Sequence, residues 1–319
     1  MICKEVSYDL AMEEWGRLLD SCSLPEDQVS VAKAHLAGLK AEKEMAYYLA
    51  ARFAQHRDLA IFNNLRIKHG GLVAQIDHLV LSRWSAYFIE TKSVGHKISI
   101  NADGQWARVY GRKYKNMESP IEQSRRHETI LFDLLESRRS EFMGKLLGMQ
   151  TTFRKLIDVQ HLVSVSVGAI IQGRGKKAVA DHLRAMDQIP QMIEDRHKAV
   201  AASFMGGVLA DMLNPGHTKR LAAFKEKEFD ACCQMLLDVD ISQTPLEQVH
   251  AFIAELPEEA AGLESAEDGQ ADGEGETAPA CPKCGAEMVL RTATRGDRAG
   301  KQFYGCSAYP KCRGIVNLG

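Results

Sequence analysis

Residues 72–92, LVAQIDHLVLSRWSAYFIETK, constrain the fold more than any other stretch of the chain. Two apolar runs flank a short turn, and each carries acidic chemistry where an apolar residue is expected. Read as strands, the first holds Asp77 in its middle and the second ends on Glu90, Thr91 and Lys92. Residues two apart on a strand share a face, so Glu90 and Lys92 point the same way, and His78 points away from the face that Asp77 occupies. Carboxylates inside β structure are costly unless they are paired or hold a cation. A divalent cation satisfies both acids, and a lysine beside it can orient a water or help to deprotonate it. Glu-x-Lys alone also describes an ordinary solvated strand end. The acid one strand and one turn earlier is what makes the pattern informative.

Around this stretch the pattern alternates between helix and strand. Residues 1–24 read as one short helix before Leu24-Pro25. From Glu26 to about Gln55 apolar residues recur at helical spacing, with Gly38 as a break or kink, and Glu42 opens the second part. Asp58–His69 reads as a strand ended by Gly70-Gly71. Two β segments, Lys97–Asn101 and Gln105–Tyr110, follow across an Asp103-Gly104 turn, with Trp106 packing in the core or against the sheet. Ser119-Pro120-Ile121-Glu122 is a helix start: serine caps, proline suits the first position, and glutamate closes a capping box. Gln123, His127, Ile130 and Leu134 then share one face, which brings Gln123 and His127 toward the polar end of the sheet. Gln160–Ile171 reads as one further strand. The basic run Gln172–Lys177 after it lacks the spacing of a phosphate loop or a dinucleotide fingerprint.

Residues 178–256 are rich in helix-forming sequence, broken at Asn214-Pro215-Gly216 and near Thr244-Pro245, and adjacent Cys232 and Cys233 fit helix packing. Residues 257–280 hold eight acids and neither Lys nor Arg; with Gly and Ala filling the rest, this segment reads as a flexible tether. The chain of 319 residues has room for two domains, and its net charge of −2 gives no global signal for nucleic acid. No apolar run approaches the ~18 residues of a membrane span, and the acidic N-terminus does not resemble an export signal. The expected compartment is therefore the reducing cytoplasm, where clustered cysteines favour metal over disulfides.

The last 39 residues change character. Cys281-Pro282-Lys283-Cys284 is followed, after 21 residues, by Cys306 and then by Cys312, two close thiolate pairs that suit a closed tetrahedral Zn²⁺ site. A segment this short with so few core residues draws its stability from the metal. Seven basic residues face two acids, and Phe303, Tyr304 and Tyr309 interleave with Arg291, Arg295, Lys301 and Lys311. Aromatics among cations suit single-stranded nucleic acid, through base stacking and phosphate attraction.

Two resemblances rest on these residues. Glu42 opening a helix, Asp77 in QIDHLVL, Glu90-Thr91-Lys92 in FIETKS and Pro120-Ile121-Glu122-Gln123 in the next helix, in that order, resemble the nuclease-related (NERD) branch of the PD-(D/E)xK nuclease superfamily. The resemblance implies a restriction-endonuclease-like α/β domain over residues 38–175, a mixed sheet flanked by helices. It further implies Mg²⁺- or Mn²⁺-dependent hydrolysis of DNA. Asp77, Glu90 and the Thr91 carbonyl would hold the ion; Lys92, Glu42 and Gln123 would complete the site. CPKCG…FYGCSAYPKCRGIV resembles the C-terminal four-cysteine zinc finger of bacterial type I topoisomerases, which implies structural zinc and DNA binding over residues 281–319. The expected organisation is then an N-terminal helical segment (1–37), the nuclease-like domain, a helical extension (176–256), the acidic linker (257–280) and the zinc module. Expected functions are a metal-dependent nuclease or, in the alternative, a DNA-binding protein that uses the same fold without cutting.

Overall fold

The computed structural model describes residues 1–21, 24–93, 97–144, 157–213, 224–256, 281–286, 288–292, 302–307 and 312–317; at 204–213, 290–292, 302–303, 305 and 317 it describes the backbone alone. The acidic stretch 257–280 lies outside the described residues. The chain forms two compact units, Met1–Gly262 and Leu263–Gly319.

In chain order the first unit begins with β1 (Ile2–Lys4), α1 (Asp9–Asp20), α2 (Glu26–Phe53), β2 (Leu59–His69), β3 (Leu72–Ser82) and β4 (Ser85–Lys92). There follow β5 (Lys97–Ile100), β6 (Trp106–Tyr110), β7 (Lys113–Met117), α3 (Pro120–Ser137), the single turn α4 (Arg139–Phe142), β8 (Asp158–Val165) and β9 (Ile170–Gln172). It closes with β10 (Leu183–Ala185), α5 (Ile189–Leu213), α6 (Glu226–Asp238) and α7 (Pro245–Ala254). The second unit is a three-stranded antiparallel sheet of β11 (Met288–Thr292), β12 (Gln302–Cys306) and β13 (Ile315–Asn317).

A mixed sheet of order β1-β2-β3-β4-β8-β10 frames the first unit. Its centre is the long β2–β3 hairpin, turned by Gly70 and Gly71 at φ +56° and +79°. Two successive positive φ values make the type I′ geometry that glycine alone adopts without strain. Strand β4 runs antiparallel to β3 and parallel to β8, so the ends of β4 and β8 lie side by side. On one face α3 and α6 bury Leu131, Leu135, Phe229, Cys232 and Leu236 against Phe62, Leu79 and Phe88. On the other, α2 and the start of α5 bury Met45, Leu49, Phe53 and Ile193 against Ile61, Val80 and Ile89. Each such side chain contributes about 1.5–3 kcal/mol by leaving water. A smaller four-stranded sheet, β7-β6-β5-β9, seats Ile98, Ile100 and Trp106 on Val163 and Val165 of β8 and on Ile121 of α3. The core placement expected of Trp106 is what the structure shows.

The pleat of the central hairpin breaks once. The residues of β2 that face α3 are Ala60 and Phe62, then Leu65 and Ile67; on β3 they are Ala74 and Ile76, then Leu79 and Leu81. Parity changes on both strands at the same place. Asn63 pairs with His78 and Leu65 with Ile76, leaving Asn64 opposite Asp77 at the unpaired step of the ladder. Asn64 has φ 51°, the one positive value at a non-glycine residue among the described residues. Asparagine tolerates this conformation better than most residues. Asp77 therefore leaves the regular alternation and sits at a local discontinuity.

Several expectations from sequence give way. Residues 1–24 are not one helix: β1 joins the main sheet parallel to β2 before α1 begins. Lys4 is held there by Asp240 at 2.6 Å, a pairing far away in sequence. Gly38 does not break α2, which runs through it from Glu26 to Phe53 with nothing near its α-carbon to force a bend. Gln160–Ile171 is two strands. Gly168 at φ +87° turns the chain after β8, and β9 leaves for the smaller sheet, where it lies parallel to β5. The basic run after it is not an open loop but a 3-10 turn over Arg174–Val179. Gly173 and Gly175 press on the Ile100 and Asn101 carbonyls so closely that a β-carbon at either would collide. Strands β7 and β10 were not expected. At α3 the Ser119 hydroxyl accepts from the Glu122 amide at 3.4 Å, but the Glu122 side chain pairs with Arg125 instead of completing a capping box.

Candidate active site and metal centre

At the end of β4 the charged side chains meet. The Thr91 amide donates to Asp77 Oδ2 at 2.8 Å, tying the irregular step of β3 to the next strand. Lys92 Nζ donates to Glu90 Oε1 at 2.6 Å and to Gln123 Oε1 at 3.3 Å, so the first turn of α3 closes over the strand end. Glu90 is buried, 3% exposed. Thr91, on the opposite face, accepts a bond from the Ser164 hydroxyl of β8 at 3.0 Å. His127, one turn beyond Gln123, stays neutral: burial, then Arg126 and Lys92, press its pKa down to about 4. His78 pairs across the hairpin with Asn63 and is fully buried against Asn63 Oδ1 at 2.8 Å, with its pKa pushed down to about 3 by burial.

Glu42 reaches the same place from α2. Leu39 and Ala46, on either side of it along one helix face, pack with α1 and α7, whereas Ala41 and Met45 face the main sheet. Glu42 thus stands where the helix passes from one cluster to the other. Glu44, two residues on, is exposed. Burial, then the charges of Asp77 and Glu90, push the Glu42 carboxyl up to about 8. Burial and Asp77 push Glu90 up to about 8 as well, against the pull of Lys92. Burial likewise raises Asp77, opposed by Lys92 and the Thr91 amide. Asp77 raises both Glu42 and Glu90, and Glu90 raises Glu42, so three buried carboxyl groups crowd beside one lysine. Such a donor set, all hard oxygen, fits Mg²⁺ or Mn²⁺. In the described structure the acids are neighbours rather than a closed shell: among the described residues only the four cysteines bring three or more ligand atoms within coordinating reach.

One residue at this site carried no sequence signal. Tyr8, just before α1, is buried and its hydroxyl has no hydrogen-bond partner. It packs in the cluster that holds Leu39 and Ala46, and its neighbour Asp9 pairs with Lys43, the residue after Glu42. Burial, then Glu42 and Asp77, hold this phenol well above its ordinary pKa, so it is a neutral donor facing acids. Only the fold brings residue 8 to residue 42.

In the second unit the Sγ atoms of Cys281, Cys284, Cys306 and Cys312 lie within 4.8 Å of one another, with Cys281–Cys312 at 3.7 Å and Cys284–Cys306 at 3.4 Å. A tetrahedron with Zn–S arms of about 2.3 Å has edges of about 3.8 Å, so the four thiols fit zinc. The Lys283 amide, with that of Cys284, draws the Cys281 thiol down to about 7. Gly314 is required here: a β-carbon would strike Cys281 Sγ. Tyr304, expected to contact nucleic acid, packs on Cys281, Met288 and Cys306. Arg291 and Phe303 pair across β11 and β12, with backbone alone described. Arg295, Lys301, Tyr309 and Lys311 lie outside the described residues.

Two families match parts of the chain. Residues 37–163 match the nuclease-related domain family, NERD, and residues 279–318 match the topoisomerase DNA binding C4 zinc finger family. No curated protein and no solved structure matches the chain.

Proposed function

We propose that this chain, which carries a nuclease-related domain and a topoisomerase-type zinc ribbon, hydrolyses phosphodiester bonds in DNA with the help of Mg²⁺ or Mn²⁺. The observation that supports the reading is the joining of Asp77, Glu90, Lys92 and Gln123 through Thr91 at one strand end, with Glu42 electrostatically coupled to them. Asp77, Glu90 and the Thr91 carbonyl would hold the cation, and Glu42 would complete its surroundings. A bound divalent cation supplies Lewis acidity at the phosphate and lowers the pKa of a water. Lys92 is placed to orient the attacking water and to offset charge that grows on the phosphorus oxygens. Gln123 fixes the ammonium by accepting one of its hydrogens, leaving another for substrate. The ribbon, with structural zinc, would keep DNA close to the site through the intervening chain.

A second reading has its own observation. Lys92 already satisfies Glu90, and the three carboxylates do not converge as the cysteines do. A protein that binds DNA through this fold without cutting would look the same. End-labelled plasmid, linear duplex and single-stranded substrates with Mg²⁺ or Mn²⁺ decide between them. Cleavage by the native chain that is lost in Lys92→Ala and Asp77→Asn supports the nuclease. DNA binding with no cleavage under any of these conditions supports the binder.

A further inference from the structure

The β6–β7 hairpin carries four cations, Arg108, Arg112, Lys113 and Lys115, and no acid between Gly104 and Met117. Among the described residues none of the four has an ion-pair partner. In the antiparallel register Trp106 is opposite Met117, Arg108 opposite Lys115, and Tyr110 opposite Lys113. Directly opposed side chains share a face. That face therefore begins with the buried Trp106 and the partly buried Met117, packed on the main sheet, and continues outward as Arg108, Lys115, Lys113 and Tyr110. Like charges directly opposite each other destabilise a hairpin. Here they stand without an ion-pair partner among the described residues, beside a tyrosine 48% exposed.

This face is not remote from the carboxylates. Lys115 and Glu42 line one cavity of about 370 Å³, with Gly38, His35 and Trp15 on its α2 and α1 side. Its volume falls within the range of about 300–1,000 Å³ typical of small-ligand sites. Lys115 at one wall and the site acid at the other, with the remaining hairpin cations on the face leading away from Lys115, are the charge pattern of a track for a polyanion whose scissile bond must reach a cation held by acids. Strand β7 is also an edge strand, and edge lysines commonly serve to prevent strand-to-strand aggregation. That role does not call for Arg108 on the inner strand, nor for an exposed tyrosine in the same row.

We infer that the Arg108–Lys115–Lys113–Tyr110 face of the β6–β7 hairpin is a binding surface for the phosphate backbone of a DNA strand, leading it into the cavity that Glu42 and Lys115 line. The proposal rests on the nuclease-related reading in taking DNA as its ligand, but its test reads binding and so does not depend on cleavage. The cations would contact successive phosphates, and Tyr110 offers a ring on which an unpaired base can stack.

The experiment uses the full chain with zinc, in a Glu90→Gln background so that substrate is not consumed. Binding of a labelled single-stranded oligonucleotide and of its duplex is followed by fluorescence anisotropy across a salt series. For Arg108→Gln/Lys113→Gln/Lys115→Gln, the affinity for single strands should fall at least tenfold at low salt. The slope of log affinity against log salt should become shallower by about 2, at about 0.7 per lost phosphate contact. The Lys113→Arg/Lys115→Arg chain should keep both. Tyr110→Ala should weaken single-strand binding more than duplex binding. The ribbon is present in every variant, so its contribution cancels in the ratios. Unchanged affinity and slope in the triple variant would overturn the proposal, as would self-association of that variant with DNA binding intact, the result that a purely anti-aggregation role requires. Should the triple variant not fold, Lys115→Gln alone carries the test, with a smaller shift in the same direction.

Discussion

The two candidate metal sites are built in opposite ways. Among the described residues the ribbon has almost no core but its ligands: Cys281, Met288 and Cys306 are its buried cluster, and Tyr304 and Val316 lean on it. The carboxylate site sits on a sheet packed on both faces, with its acids held by backbone and by Lys92 rather than by one another. In the first case the metal is the core. In the second the sheet is packed on both faces by side chains, and its acids crowd beside one lysine. Metal removal should therefore have opposite consequences in the two units.

The largest effect belongs to the ribbon. Chelating zinc, or replacing Cys306 by Ala, should melt β11–β13 outright, because metal binding and folding are one equilibrium in such a module. Amide signals of the second unit should collapse while those of the first keep their dispersion. Gly314→Ala should do nearly as much without replacing a ligand, since the new methyl meets Cys281 Sγ. A ribbon that keeps its chemical shifts after chelation would break the comparison.

Next in size is the loss of activity at the other site. Asp77→Asn and Glu90→Gln should each lower Mg²⁺-dependent cleavage by at least a hundredfold, with zinc content and helical circular dichroism unchanged. Retained cleavage would remove these residues from the chemistry.

How much of this was open to sequence reading differs between the two sites for a physical reason. The ribbon's ligands are local, so two close cysteine pairs suffice to place them. Glu90-Thr91-Lys92 and Asp77 were also legible, because consecutive apolar strands carry them; the two-residue period fixes the faces of Glu90 and Lys92, but not that of Asp77, which sits at the break. Glu42 was reachable only through motif resemblance. Tyr8 gave no signal, since a lone tyrosine before a helix looks like any other, and only the pairing of Asp9 with Lys43 brings it near. The Asn64 break was hidden as well: apolar residues fill both parities of DLAIFNNLRIKH, so alternation cannot reveal where it changes. β9 was misread because Ser166–Ala169 lies in an apolar run, and a turn at Gly168 that sends the chain to another sheet leaves no mark beyond one glycine.

A smaller effect sharpens the comparison through pH. The Glu42 carboxyl has an ordinary pKa of 4.5 and stands at about 8 in the fold. The native state therefore holds a proton that the unfolded chain releases, and without divalent cation stability should fall as pH rises from about 4.5 through about 8. Asp77, Glu90 and Lys92 act on Glu42 from β3 and β4, and Glu42 and Asp77 act on Tyr8. Glu42→Gln removes this burden. At pH 8 in chelator it should raise the melting temperature of the first unit by roughly 3–6 °C, about 1–2 kcal/mol, and it should flatten the pH dependence. Added Mg²⁺ should stabilise the native chain more than the variant. A melting temperature indifferent to the substitution would mean that the acids are not in fact crowded.

The smallest effect is at Tyr8, and there stability and function should move in opposite directions. A buried hydroxyl without a partner costs about 1–3 kcal/mol relative to one that is bonded, so the packing around it does not reward keeping it. Tyr8→Phe leaves the ring in place among Leu39, Ala46 and Trp15. It should leave the metal-free fold as stable as before or stabilise it by about 1 kcal/mol. If the hydroxyl is kept for the loaded site, as a donor to the Glu42 carboxylate or to water beside it, the same change should weaken Mn²⁺ binding severalfold, read by titration of the full chain, and should lower turnover with it. Glu42→Gln combined with Tyr8→Phe should then be no worse than Glu42→Gln alone, because the hydroxyl acts through that carboxylate. Additive losses would place Tyr8 in the hydrophobic packing of α1, and the charge imbalance of the sheet site would rest on Glu42, Asp77 and Glu90 without it.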